Sequence, residues 1–322
     1  MKNISAYIIF CLLIFACKTA EEKPFDQDKY DWESHEPFVT NYGTFNMPRS
    51  EDFTSTPIAI GPVSIPEASG LAYSVKNPGM IWTHNDSGNT NTLFLLDATT
   101  GEIVSRYQIE GTVNLDWEDM EISINPNDGE PYLYIGNTGD NSERRPVYSI
   151  YRFLEPVFEE SHIGQNIKWT PEGFSQLNFN YPDGSHDAET ILVDPATQDI
   201  YVVTKRDVVS TLYVAPYPQS TDSRITLYKA GLFSFREASA GNVSLDGSKV
   251  LIKNRQEIFY WTRLMGESMV DMLSRTPVKV PYLGEPQGEA ISFDANFNYF
   301  TLSEELNSSV KPTLYKYEFK SN

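Results

Sequence analysis

The chain has 322 residues, with 44 Asp and Glu against 25 Lys and Arg and a formal charge of −19. A surface this acidic repels phosphate backbones, which argues against nucleic acid as a partner; it suits cations and solubility outside the cell. The 19 Gly and 20 Pro beside 19 Tyr and 18 Phe fit a turn-rich all-β protein.

The first residues read as targeting, not structure. Met1-Lys2-Asn3 is a short basic start, and Ile4 to Ala16 is mostly apolar but too short for a comfortable membrane span. Residues 1–16 are therefore read as a signal peptide. Its end, Ile14-Phe15-Ala16-Cys17, resembles the lipobox of bacterial lipoproteins, although Phe15 stands where a small residue is usual. That resemblance implies cleavage before Cys17, a lipid (palmitate-type) anchor on Cys17, and a place in the cell envelope. The protein would then be an outer-membrane lipoprotein, facing the periplasm or the surface. A plain secretory signal is the alternative. Cys11 leaves with the signal, so the exported part has no thiol nucleophile and no cysteine metal site. Residues 17–50 lack periodicity and read as the lipidated cysteine, a tether and a wrapping segment. Residues 51–322 read as one domain.

Within that domain a pattern recurs: a carboxylate beside small residues, a short β run, a turn, and further β runs. The runs Glu67-Ala-Ser-Gly-Leu, Glu118-Asp-Met-Glu-Ile, Asp187-Ala-Glu-Thr-Ile, Glu237-Ala-Ser-Ala-Gly and Gly288-Glu-Ala-Ile mark five units. Matching strand positions at Leu71, Ile122, Ile191, Val243 and Ile291 are spaced by 51, 69, 52 and 48 residues. Such a period, built only from strands, predicts a β-propeller of five four-stranded blades. The extra length of the second spacing falls in an insertion over 155–185. The second blade's fourth strand is expected within Ile167 to Phe179. The last unit supplies only three strands, so Ile58 to Ile65 is expected to close the ring from the N-terminal side. A sixth blade within residues 20–60 is the alternative.

A propeller brings one inner strand per blade to its axis. Glu67, Glu118, Asp119, Asp187, Glu189 and Glu289 are therefore candidate metal ligands. Carboxylates gathered there repel one another, and a hard cation relieves the repulsion. Calcium fits best, because it accepts many oxygens in loose geometry. For any one residue the plainer role is capping a turn. Loops after the second strands bring His84, Asp86, Lys205 and Arg206 forward as candidate catalytic groups, with Asp140, Arg255 and Glu304 nearby. His84 is placed on a rim loop. His186, beside Asp187, is a further candidate base. Neither His-Glu-x-x-His, a P-loop nor a Gly-x-Ser-x-Gly elbow is present.

The phrases His-Asn-Asp-Ser-Gly, Asp-Trp-Glu-Asp, Tyr-Ile-Gly-Asn-Thr-Gly-Asp-Asn, Asp-Ala-Glu-Thr, Val-Thr-Lys-Arg and Gln-Gly-Glu-Ala-Ile together resemble a poorly characterised family of exported bacterial β-propeller proteins. The resemblance runs from about Glu67 to Phe319 and implies a fold, not an activity. More distantly the acidic arrangement is similar to calcium-containing propellers: apyrase-like, phytase-like and gluconolactonase or paraoxonase-like enzymes. No motif of theirs maps residue by residue. The expected function is a binding or scaffold module with a central calcium site, taking a small anion, a glycan or a protein ligand. A glycan would rest on Trp82, Trp117, Tyr148 and Trp261. Calcium-dependent hydrolysis of phosphate esters, lactones or small esters is the alternative, and glycoside hydrolysis a second.

Overall fold

Period-two apolar runs punctuated by Asx and Gly turns produce short strands that close into separate sheets. The computed structural model describes residues 30–307 and 310–320. The expected signal peptide and Cys17 lie outside the described residues. β1 (Phe38–Val39) and β2 (Ile58–Pro62) come first. Blade I is β3 (Ala68–Tyr73), β4 (Met80–Asn85), β5 (Thr92–Asp97) and β6 (Ile103–Ile109). Blade II starts with β7 (Met120–Ile124), β8 (Pro131–Asn137) and β9 (Tyr148–Leu154). The chain then returns to blade I, where β10 (Asn166–Trp169) runs parallel to β6, before β11 (Ser175–Asn180) completes blade II.

Blade III is β12 (Ala188–Val193), β13 (Ile200–Thr204), β14 (Thr211–Ala215) and, after β15 (Ile225–Thr226), β16 (Tyr228–Leu232). Blade IV is β17 (Ala240–Val243), β18 (Lys249–Lys253), β19 (Ile258–Thr262) and, past the short helix α1 (Met269–Ser274), β20 (Val278–Val280). Blade V is β21 (Gly288–Phe293), β22 (Tyr299–Ser303) and β23 (Thr313–Tyr317), completed by β2 antiparallel to β23. Five blades, with the ring closed by an N-terminal strand, are as the spacing predicts.

Residues 30–57 do not form a sixth blade. β1 adds to blade III parallel to β16, and Arg49 bridges Lys279 on blade IV. With β10 on blade I and β15 on blade II, four blades carry a parallel segment on their outer edge. These segments pair backbone groups that would otherwise template aggregation. The fourth strand of blade II, expected within Ile167 to Phe179, is β11 at the end of that stretch, while the start of the stretch, in β10, serves blade I.

Each of the five interfaces between neighbouring blades holds its own apolar cluster. Trp82, Trp117 and Trp261 are buried in them, as is Tyr148, so the proposed glycan platform is core instead. Each large apolar side chain there contributes about 1.5–3 kcal/mol. A single hydrogen bond adds about 1 kcal/mol, so apolar packing holds the blades while polar clamps set their registry. Two clamps stand out. Buried Glu155 of blade II accepts from Val75 N (3.1 Å), Lys76 N (2.8 Å), Trp82 Nε1 (2.9 Å) and the Ser74 hydroxyl of blade I. Arg263 of blade IV forms a bidentate pair with Asp194 of blade III at 2.9 and 2.8 Å.

Candidate metal centre at the propeller mouth

The mouth is built where the inner strands begin and the second strands end. In three blades one backbone bond closes this corner: Asp86 N–H donates to Glu67 O, Lys205 N–H to Asp187 O, and Glu304 N–H to Gln287 O, at 2.8, 2.8 and 3.0 Å. Asp86, Lys205 and Glu304 are therefore equivalent positions. Just inside, the inner strands slip register between Ser69 and Leu71, Ala188 and Thr190, and Gly288 and Ala290. The residue at the slip is Glu189 in blade III and Glu289 in blade V. A bulge of this kind re-aims a side chain, and here it turns both carboxylates to the mouth.

Among the described residues, three triads each place one carboxylate oxygen per residue within 4.8 Å of one another: Asp86, Glu289 and Glu304; Asp86, Asp116 and Glu118; Glu118, Asp187 and Glu189. Asp86 and Glu118 are shared, so the triads form one arc from blade V through I and II to III. Blade IV offers none. Glu118 is 2 % exposed. Among the described residues its carboxylate has no hydrogen-bond or ion-pair partner, while Glu189, Asp86 and Asp116 press on it electrostatically. A β-carbon at Gly139 would overlap Glu118 Oε1 and the Asp116 carboxyl group, so only glycine lets this loop come so close.

Burial and mutual repulsion mark the whole arc. Burial, then the neighbouring carboxylates, pushes Asp86 up to about 7 and Glu304 up to about 8. Burial raises Asp116 too, with Asp187 adding to it, and holds Glu118 and Glu189 well above the carboxylate range. Lys205 sits at the inner end of the arc, paired with Glu189 and, at 3.1 Å, with Glu289. Burial disfavours its charge, but the two glutamates outweigh this and its pKa is raised. Arg206 Nε lies 2.6 Å from Asp187 Oδ2, and Arg255 Nη2 lies 3.9 Å from Glu289. Toward blade IV the charge changes sign: Lys205, Arg206, Arg236 and Arg255, with Asp207 and Glu237, line a cavity of about 360 Å³.

The expected site residues divide. Glu118, Asp187, Glu189, Glu289 and Asp86 meet in the arc, and Lys205 and Arg206 border both arc and basic cavity. Asp119 does not join them. It is fully buried at the axis, where its carboxylate accepts from Met120 N (3.0 Å), Ile191 N (3.1 Å) and Gly241 N (3.0 Å), tying inner strands of blades II, III and IV. Both residues lie just before β7 and oppose the single residue Gly136 of β8, with Glu118 N–H donating to Gly136 O and Gly136 N–H to Asp119 O; from this irregular corner the Glu118 carboxylate joins the mouth and that of Asp119 turns to the axis. Glu67 is exposed at the rim, where it accepts a bond from Asn89 at 2.5 Å.

His84, expected on a rim loop, is inside β4 and fully buried. Its ring packs edge-on against Trp117 and its Nδ1 lies 3.0 Å from Asn85 O. Burial pushes its pKa down to about 4. A neutral imidazole sealed in a sheet has no access to substrate. His186 is also away from the arc, held between Asp207 (2.9 Å) and Asp183 (3.1 Å). Asp140 is a loop organiser, accepting from Arg144 N, Arg145 N and Tyr148 OH. Asp116 and Glu304 were not among the expected ligands. Both belong to loops flanking the strands, and the signal for Asp116 was its place two residues before Glu118 in Asp-Trp-Glu-Asp.

No family model matches the chain, and no curated protein does. Among solved structures the chain is similar to hydrazine synthase of Kuenenia stuttgartiensis at 12 % identity and a TM-score of 0.39, over 81 % of this chain. The chain spans 65 % of that one, and no function is transferred at this level.

Proposed function

We propose that the mouth is a divalent-cation site, best suited to calcium, and that the protein is a cell-envelope binding module whose cation and basic cavity together take a small anionic ligand. The observation that carries this reading is Glu118: almost wholly buried, its carboxylate without a hydrogen-bond or ion-pair partner among the described residues, and shared by two triads. An ionised carboxylate left so is costly, and a dication beside it removes the cost. The donor set is oxygen only and comes from four blades, which favours the loose coordination of calcium over the strict octahedron of magnesium. A triad sharing Glu118, either with Asp86 and Asp116 or with Asp187 and Glu189, would hold the ion, and Glu289 and Glu304 stand beyond it in the arc. Lys205, Arg206 and Arg255 would hold a phosphate or carboxylate group beside it.

Titration calorimetry on the full chain tests this. Calcium should bind, and Glu118→Gln should weaken it at least tenfold, on the scale of a lost charged ligand. Absence of calcium and magnesium binding would remove the metal reading and return the carboxylates to internal polar packing.

A second reading is supported by Asp86 and Glu304, whose pKa values near neutrality suit proton transfer. With calcium held by Glu118, Asp187 and Glu189 and not by these two residues, they would exchange a proton with the water or leaving group of an ester whose anionic end rests in the basic cavity. A screen of phosphate esters and lactones, with Glu304→Gln as control, separates hydrolase from binder. Anchoring is proposed from Ile14-Phe15-Ala16-Cys17 alone. Labelled palmitate should enter the wild-type chain in a bacterial host and fail to enter Cys17→Ser.

A further inference from the structure

A second cavity, of about 630 Å³, opens on the flank of the propeller, between the outer edges of blades II and III and far in character from the mouth. Its walls come from the entering segment, the loop after β14, and β15 and β16. Tyr30, Trp32, Tyr217 and Tyr228 supply aromatic surface. Tyr30 and Trp32 lie 5.2 Å apart, and Trp32 and Tyr228 are near-parallel at 6.2 Å, so the rings make a continuous row. Behind them His35 packs edge-on to both Tyr30 and Trp32 and fixes the row from the protein side. The volume is that of a site for a small molecule.

The charge of the lining chooses among ligands. Asp31 and Glu33 are both exposed at the cavity, and none of its lining residues is Lys, Arg or His. Asp31 accepts from Ser34 Oγ and Glu33 from Tyr228 OH, so each carboxylate is held in place and keeps acceptor capacity. Gln219 spends its amide N–H groups on Gln198 O and Ala215 O, which leaves its carbonyl oxygen as acceptor. Aromatic faces, two carboxylates and an acceptor complement a cation that also has apolar surface. A neutral sugar would lack a use for the two charges, and an anion would be repelled.

We propose that this flank cavity binds a free small organic cation through an alkylated ammonium group, with Trp32 and Tyr228 as the aromatic faces and Asp31 and Glu33 as the counter-charges. The site is independent of the mouth and stands or falls separately from it.

The test compares choline with 3,3-dimethylbutan-1-ol, which has the same shape without the charge, by calorimetry on the full chain in non-ionic detergent. Choline should bind in about the millimolar range and the neutral isostere at least about tenfold more weakly. Trp32→Leu keeps an apolar wall but removes the π face, and should weaken choline about tenfold. Glu33→Gln, a surface change of little consequence for folding, should weaken it several-fold, and Glu118→Gln should leave it unchanged. Equal binding of the two probes, binding unaffected by both Trp32→Leu and Glu33→Gln, or no choline binding at about 50 mM would overturn the proposal.

Discussion

Glu118 and Asp119 are chain neighbours with the same burial and opposite consequences. Asp119 is satisfied by three backbone N–H groups from three blades, whereas the Glu118 carboxylate has no hydrogen-bond or ion-pair partner among the described residues and faces other carboxylates, with Lys205 as the attracting charge. In metal-free buffer alkaline enough to ionise Glu118, Glu118→Gln should therefore raise the midpoint of urea unfolding, because it removes repulsion, while it removes calcium affinity. Asp119→Asn should do the reverse: a loss of about 1–3 kcal/mol, since an amide turns donors toward donors, with calcium binding kept in the fraction that folds. Gly139→Ala should cost about 1–3 kcal/mol by overpacking and weaken the cation as the loop backs away from Glu118. A Gly139→Ala variant with unchanged affinity would detach that loop from the site. The sequence shows where carboxylates recur, and it places six of the seven arc members, all but Asp116, at the right corner of the blade. It does not separate Glu118 from Asp119, because both sit in the irregular corner before β7, where no period says which side each carboxylate takes. It misplaces His84 because a strand continued through a stretch that reads as a turn.

At the scale of the element, most of the architecture follows from period and turn chemistry. The run Asp97-Ala-Thr-Thr-Gly101 makes the hairpin between β5 and β6, with Asp97 Oδ1 accepting from Thr99 N at 2.7 Å and Gly101 at φ +77°. Asp194, Asp246 and Asp294 repeat one device between first and second strands, each accepting a backbone N–H two residues ahead at 2.8–3.0 Å. What period does not give is β10 and β15. They are short, lie in the insertion and loops, and join blades through parallel pairing that no alternation announces. Inter-blade clamps are equally silent in sequence, because Glu155 and its partners are 73 to 81 residues apart. Glu155→Ala strands several buried donors of blade I and should cost about 3–5 kcal/mol, close to the penalty for breaking a buried charged network. Glu155→Gln keeps one acceptor oxygen and should cost less than half of that. Equal losses in urea melts would mean that the volume of the side chain, not its bonding, matters there.

For the molecule as a whole, a charge of −19 and an arc of crowded carboxylates make proton binding and cation binding rivals. Asp86 and Glu304 hold protons in the folded chain up to about 7 and about 8, whereas unfolded carboxyls release theirs near 4. Between those values the folded state binds more protons than the unfolded one, so stability must fall as pH rises. That contribution is whole below about pH 4 and is lost as pH passes through 7 and then 8. Without metal, the unfolding midpoint measured in calcium-free buffer should therefore decline from pH 5.5 to about 8.5. With calcium the dependence should flatten or reverse, since the ion binds the ionised arc and stabilises only the folded chain. The same competition makes calcium expel protons. Calorimetry at pH 7 in buffers of different ionisation enthalpy should show release on binding, shrinking above about pH 8 as Asp86 and Glu304 ionise without the metal. The two measurements check each other: proton release with a flat metal-free profile would place the released protons outside Asp86 and Glu304. A falling profile with no release would leave the raised carboxyls real but the cation elsewhere.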